Sequence, residues 1–273
     1  MTDLLGVTNQ FIAWKYPLEK QIERIAEMGF RYLEVMTPLS DTFPRDMDRK
    51  RRDELAQLCR SSGLKLYSIS PSYADLNLTS VNPGVRKETV RQIQENIELA
   101  RDVEAKFVVV IPGKRYLFYT TPLEVAWRFS VGGLRECAEH AENLGIVCLV
   151  EQAPFMFAEK ASDIKKLVNE VNSPNVLAMT DTGNACVRES PQRAIEILGD
   201  QLGHLHITDG DGKTYAHLPV GLGTIDFKAV KESLEKVKFR GISLLEVWHP
   251  PDVEGGILQS KQNLEKLGWR TGE

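Results

Sequence analysis

Residues 204–227 read HLHITDGDGKTYAHLPVGLGTIDF. The stretch begins as a short alternation of apolar and polar residues, runs through a long series of Asp, His, Gly and Pro, and stops at an Asp-Phe that starts a helix. A strand ends here, a polar loop follows, and a helix begins. Loops of that length inside a compact domain are usually functional or disordered. One that carries His206, Asp209, Asp211 and His217 directly off a strand end is read as functional.

The same unit repeats along the chain. Apolar runs of strand length are LLGVTN (4–9), YLEVM (32–36), KLYSIS (65–70), FVVVI (107–111), IVCLVE (146–151), VLAMTD (176–181), HLHIT (204–208) and ISLLEV (242–247). Between them lie stretches of helical period at 17–29, 46–62, 83–104, 122–144, 159–172, 190–202, 226–238 and 255–267. Val90, Ile93, Ile97 and Ala100 fall at the i, i+3, i+7 spacing that gives a helix one buried face.

The connections between these elements are asymmetric. Helix-to-strand joints are tight and carry a glycine suited to a helix C-cap, at Gly29, Gly63, Gly145 and Gly203. Strand-to-helix joints are long, polar and aromatic, as in TNQFIAWKYP, SPSYADLNLTSVNP and PGKRYLFYTTP. In eight-stranded parallel barrels the long strand-to-helix loops build the active site at the C-terminal ends of the strands. A doubly wound open sheet also alternates strand and helix, but its glycine-rich phosphate turn is missing: the first strand leads into GVTNQFIAWKY, with no GxGxxG. The expectation is an α/β fold, one (β/α)8 TIM barrel spanning residues 1–273 as a single domain, with its chemistry on one face.

Composition narrows the function classes. The 273 residues are 42% hydrophobic and 26% charged, ordinary values for a globular protein with a sizeable core. A net charge of −4 argues against a general grip on nucleic acid, which needs clustered Lys and Arg. No apolar run approaches the roughly 20 residues of a membrane helix, and MTDLLGVTNQF lacks the basic-then-apolar pattern of a secretion signal. Cys59, Cys137, Cys148 and Cys186 are widely spaced and read as unreactive thiols. A cytoplasmic protein with no membrane and no nucleic-acid partner is expected.

The strand ends carry the chemistry. Glu151 closes the fifth strand, Asp181 the sixth, His206 lies near the end of the seventh, and Glu246 closes the eighth. A carboxylate at one strand end often only caps the next helix or meets an arginine. Three carboxylates and an imidazole at four adjacent strand ends instead make a mixed oxygen and nitrogen site for one divalent cation, manganese first, with cobalt, magnesium or zinc as alternatives.

LVEQ, MTDTGN, HLHITDGDG followed by H-x3-G-x-G, and SLLEVW resemble the strand-end motifs of the xylose-isomerase-like barrel superfamily, and within it the ketose 3-epimerases and their sugar-phosphate relatives. The resemblance runs along nearly the whole chain and is most specific at those four positions. It implies that Glu151, Asp181, His206 and Glu246 bind one metal, and that Glu151 and Glu246 also serve as acid and base. The implied reaction is proton abstraction next to the carbonyl of a ketose or ketose phosphate, through a metal-stabilised cis-enediolate. An aldose–ketose or hydroxypyruvate-type isomerase and a sugar or cyclitol dehydratase share that site and remain open, as does a non-catalytic sugar-binding barrel.

Other residues are assigned to substrate binding. His217 and Asp209 either contact substrate hydroxyls or steady His206. Lys213 is a solvated loop charge or the neutraliser of an anionic substrate, and Glu34, at the end of the second strand, is a polar pocket candidate. His204, two residues before His206, points to the same face but deeper, as a packing group. Trp14, Tyr73, Tyr116, Phe118 and Trp248 stand on the same rim, where aromatic walls pack against a sugar or against a second copy in a homo-oligomeric dimer or tetramer. Many ketose 3-epimerases have a histidine three residues beyond the sixth-strand aspartate, where this chain has Asn184. That departure bears on the substrate. The superfamily's trinuclear-zinc DNA-repair endonucleases need further histidines and an aspartate where Tyr215 stands, and five histidines in all do not suffice.

Overall fold

A computed structural model describes residues 3–37, 41–71, 76–115, 121–248 and 252–272. The strands are β1 (Leu5–Thr8), β2 (Tyr32–Thr37), β3 (Lys65–Pro71), β4 (Phe107–Val110), β5 (Val147–Glu151), β6 (Val176–Asp181), β7 (Leu202–Ile207) and β8 (Ser243–Leu245). All pair in parallel with their sequence neighbours, and β8 closes onto β1 through Leu5 with Ser243, Gly6 with Leu244 and Val7 with Leu245. The helices are α1 (Leu18–Glu27), α2 (Arg49–Ser61), α3 (Pro83–Asp102), α4 (Leu123–Leu144), α5 (Ala161–Val171), α6 (Thr182–Cys186), α7 (Pro191–Leu198), α8 (Phe227–Lys236) and α9 (Val253–Lys266). The expected eight-stranded (β/α)8 barrel is the observed fold. None of the described helices is long and apolar enough to cross a membrane.

Local sequence explains where the elements start and stop. Asp48, Asn82, Ser190, Asp226 and Asp252 each accept a hydrogen bond from a backbone N–H of the first turn of α2, α3, α7, α8 and α9, satisfying donors that a helix start otherwise leaves open. Pro83 and Pro191 occupy first-turn positions where a missing N–H costs nothing. Gly29, Gly63 and Gly145 take positive φ at the helix ends, as expected. Gly203 does not: it lies inside β7, and a Cβ there would sit 2.9 Å from Leu149 Cδ2 and Leu177 Cδ1. It is a place of close approach in the barrel wall, and the glycine after α7 that takes positive φ is Gly199. The eighth strand is also shorter than expected, leaving Glu246 just past it, although the Glu246 N–H still donates to Ile207 O at 3.2 Å.

Two hydrophobic regions hold the molecule together. The larger lies between the outer faces of the strands and the helices, where Ile22, Ile25, Ile93, Ile97, Leu134 and Ile164 are fully buried. The smaller, Tyr67, Phe107, Val109, Leu149, Met179, Ile242 and Leu244, packs within the barrel. Side chains two residues apart on a strand share a face, so the interior changes character in one step toward the C-terminal ends. Leu149 is followed by Glu151, Met179 by Asp181, His204 by His206 and Leu244 by Glu246.

The parallel ladder skips a residue twice. Leu33 pairs with Leu66 but Glu34 with Ser68, passing over Tyr67; Ala178 pairs with Leu202 but Met179 with His204, passing over Gly203. Such irregularities re-aim side chains near functional sites. Here the second one sets Asp181 directly across from His206. Near the barrel's N-terminal end, Leu4 bridges to Arg270, whose N–H donates to Asp3 O at 2.7 Å and whose side chain pairs with the Asp3 carboxylate at 2.8 Å.

Candidate active site

Four buried carboxylates converge at the C-terminal end of the barrel: Glu34, Glu151, Asp181 and Glu246. His206, also buried, stands among them, with Nδ1 3.2 Å from Glu246 Oε2 and 3.9 Å from Glu151 Oε1. Nε2, on the other edge of the ring, is 3.2 Å from Glu34 Oε1. Two overlapping groups of donors could each surround a cation: Glu151, His206 and Glu246, and Asp181, His217 and Glu246, each with one ligand atom per residue all within 4.8 Å of one another. A third such group, Glu34, His204 and His206, lies deeper. The ion-pair partners of Glu34, Glu151 and Glu246 among the described residues are imidazoles.

Burying like charges together distorts their titration. Burial pushes the Glu151 carboxyl well above the ordinary carboxylate range, and the facing Glu246 and Asp181 add to the rise against the pull of His206. Asp181 is raised to about 6, by burial first and by Glu246. Burial alone would depress His206, but Glu34 and Glu246 hold it well above the usual imidazole value. His204, buried with His206 beside it, is lowered to about 3 and is neutral.

Asp181 is fixed by its own chain. Its Oδ1 accepts from the Asn184 N–H at 2.6 Å, capping the short helix α6, while Oδ2 is buried without a hydrogen-bond partner. The β6 and β7 ends are tied together by Thr182 Oγ1, which donates to Thr208 O at 2.6 Å and accepts from Thr208 N at 3.0 Å. Gly183 fits that junction because a Cβ there would collide with Thr208 Oγ1. Asn184, standing where a histidine was noted in relatives, donates from Nδ2 to Glu151 Oε1 at 3.1 Å and to Gln152 O at 3.3 Å. Its Oδ1 lies 3.2 Å from His217 Nε2.

His217 reaches the cluster because the loop after β7 folds back on itself. Asp209 and Leu218 exchange backbone hydrogen bonds at 2.9 and 3.0 Å. The His217 ring is buried, its Nδ1 3.0 Å from Glu246 O and 3.4 Å from Glu246 Oε2, and it stacks on Trp248 with ring centres 3.8 Å apart. A cavity of about 260 Å³ opens over the cluster, lined by Glu151, Asn184 and Glu246 with Gln10, Met36, Ser70, Ile111, Met156, Tyr215 and Trp248. A groove of similar volume between α3 and α4, about 270 Å³, shares none of these residues.

The expected substrate-binding residues divide. Asn184 lines the cavity and His217 lies directly behind it. Asp209 does not face it: its buried carboxylate accepts from the N–H groups of Gly210 and Ile225 on Oδ1, and of Gly221 and Gly223 on Oδ2, at 2.9–3.1 Å. That carboxylate is the internal clamp of the loop. Glu34 is also absent from the cavity wall, since it lies behind His206. Lys213 is exposed on a turn whose N–H groups are held by Asp211, and Trp14 is 85% exposed; neither lines the cavity. Of the rim aromatics, Trp248 is in the wall, and Tyr73, Tyr116 and Phe118 lie outside the described residues. Sequence alone assigns no site role to Gln10 or Ser70, and reads Tyr215 only as a departure from the endonuclease pattern. Their common signal is position, at or just beyond a strand end or two residues from His217.

A family model described as a xylose isomerase-like TIM barrel matches residues 22–267. Over 239 residues, 85% of this chain and 86% of the relative, the sequence is 23% identical to a fructoselysine 3-epimerase of Shigella flexneri. It is also 23% identical over 235 residues, 84% of this chain and 81% of the relative, to an L-ribulose-5-phosphate 3-epimerase of Salmonella heidelberg. A solved structure described as a D-tagatose 3-epimerase-like protein superposes with a TM-score of 0.86 at 25% identity, covering 97% of this chain and 96% of the other.

Proposed function

We propose, because the chain belongs to the xylose isomerase-like TIM barrel family, that it is an isomerase that epimerises a ketose or ketose phosphate next to its carbonyl with the help of one divalent cation. The observation that carries this reading is the set of buried carboxylates around His206. Charges are not buried in a protein interior unless they are paired or hold a metal, and here the partners within reach are imidazoles. Asp181 Oδ2, buried and unpartnered, supports the same reading. Glu151, Asp181, His206 and Glu246 would hold the ion, and three oxygens with one nitrogen suit manganese, with cobalt, magnesium or zinc as alternatives.

A cation bound there supplies Lewis-acid polarisation of the substrate's carbonyl and neighbouring hydroxyl. Glu151 and Glu246 both face the cavity. Of the two, one takes the proton from the carbon beside the carbonyl, leaving an enediolate, and the other returns a proton to the opposite face. The hand of the substrate decides which is which. Asn184 holds the Glu151 carboxylate through Nδ2, and His217 lies against Glu246, so neither proton carrier is free to turn away. Tyr215 and Trp248 supply apolar wall for the sugar's carbon face, and Gln10 and Ser70 supply hydroxyl partners. A homo-oligomer in the cytoplasm is part of the proposal, with exposed Trp14 meeting a second copy; a monomer in sedimentation would remove that part.

The test is proton exchange. In deuterated water with manganese, a panel of ketoses and ketose phosphates followed by NMR should include one that takes deuterium at the carbon next to the carbonyl. No exchange with any of them, by protein shown to contain metal, overturns the reading. Glu151→Gln and Glu246→Gln should each abolish turnover, and full activity in both refutes their roles.

A further inference from the structure

Glu34 and Asp181 are the carboxylates of the cluster that do not line the cavity, and of the two Glu34 is the one that meets Nε2 of His206. It sits on β2, fully buried, with Oε1 3.2 Å from Nε2 of His206. Its other oxygen accepts from Ser68 Oγ at 2.6 Å. Ser68 meets it because the β2–β3 ladder passes over Tyr67, so an irregularity of the sheet is spent on bringing a hydroxyl to this carboxylate. Yet Glu34 Oε1 and His206 Nε2, although close, complete no aligned hydrogen bond, and both atoms are buried without another partner.

His206 presents its two nitrogens to different neighbours. Nδ1 faces Glu151 and Glu246, and Nε2 faces Glu34. An imidazole can offer a lone pair from one nitrogen only if the proton is on the other, and the group that accepts that proton fixes both tautomer and ring orientation.

We propose that Glu34 is a positioning residue for the metal: it accepts the Nε2–H of His206, so that Nδ1 presents its lone pair toward Glu151 and Glu246, while Ser68 holds Glu34 in place. The inference rests on the metal site of the proposed function. It gives Glu34 a role other than the substrate binding expected from sequence, since Glu34 lies on the Nε2 edge of the ring, away from Glu151 and Glu246 on the Nδ1 edge. His204 is not the positioning group, because its ring lies edge-on to His206, with centres 5.1 Å apart.

The experiment measures metal binding rather than turnover. Protein stripped with a chelator is titrated with Co(II) by calorimetry, and the visible Co(II) absorption bands are recorded for wild type, Glu34→Ala, Glu34→Gln and Ser68→Ala. Wild type should take up one equivalent. Glu34→Ala should bind it about 10–100-fold more weakly, the usual effect of losing such a partner, with displaced Co(II) bands. Glu34→Gln still offers an oxygen to Nε2–H and should recover most of the affinity. If Glu34→Ala does not fold by circular dichroism, Glu34→Gln and Ser68→Ala carry the test, Ser68→Ala being expected to weaken binding severalfold. Wild-type affinity and unmoved bands in all folded variants overturn the inference and leave the metal site standing. Two equivalents in wild type and one in a Glu34 variant also overturn it, by making Glu34 a ligand. No Co(II) uptake by wild type overturns the metal site itself, and the inference with it.

Discussion

Replacing Asp209 with alanine tests the account of the loop after β7. Its carboxylate receives four backbone N–H groups, from Gly210, Gly221, Gly223 and Ile225, all at 2.9–3.1 Å, and is itself buried. Losing the acceptor strands all four donors. A donor left unsatisfied in the interior costs about 1–3 kcal/mol, but Gly221 is exposed and Gly223 and Ile225 are half-buried, so water relieves part of the loss. The expected net destabilisation is about 4 kcal/mol. Asp209→Asn should cost about half as much, because its amide keeps one acceptor and turns an N–H group toward two donors. Urea unfolding followed by circular dichroism and tryptophan fluorescence would measure both, with midpoint and slope read together. Because the loop carries Tyr215 and His217 to the cavity, the alanine variant should also bind Co(II) more weakly. An Asp209→Ala protein within 1 kcal/mol of wild type would refute the clamp.

Two further outcomes follow from the charges. Glu254, on the first turn of α9, meets Lys15 Nζ at 2.6 Å, Arg24 Nη2 at 2.8 Å and Tyr16 OH at 3.1 Å. Those partners, Lys15 foremost, hold its carboxyl down at about 2. A depressed carboxyl stabilises the fold above its unfolded value and loses that contribution as pH falls through the folded one. Glu254→Gln should therefore be about 1 kcal/mol less stable at neutral pH, after allowing for solvent screening, and the two proteins should converge between pH 4.5 and 2 in urea titrations; a constant gap would refute the ion pair. Asp181 has the opposite sign. Its folded value is raised to about 6, so metal-free protein should lose stability as pH climbs from about 4 to about 6, while Mn(II)-loaded protein should not. Melting curves with and without chelator would show the difference widening with pH, and parallel curves would count against a metal at Asp181.

Reading the chain as strands and helices works because both signals are local. The period of two puts Glu151, Asp181, His206 and Glu246 on inward positions at neighbouring strand ends, and the structure brings their side chains into one cluster. What sequence could not display depends on partners far along the chain. The skipped pairing at Tyr67 and at Gly203 exists only between strands, so Gly203 read as a helix cap, and Glu34 read as a pocket residue. Asp209 carried the same ambiguity: beside two histidines an aspartate reads as chemistry, and only the returning segment 221–225 turns it into a clamp. His217 drew notice as a loop histidine, but its approach to Glu246 and Asp181 follows from the hairpin closed by Leu218.

The seam between β1 and β8 sets a clock on the molecule. Val7 and Leu245 pair directly although about 240 residues separate them, and synthesis at about 5–20 residues per second puts their emergence roughly 10–50 s apart. Through that interval the first strand waits with one unsatisfied edge, the kind of edge that recruits other chains. The last strand to arrive also brings Glu246, just past its end, so the cluster and the closed wall are completed by the same event. A nascent chain that has not shut its barrel lacks the assembled cluster, and closure removes the open edge of the first strand.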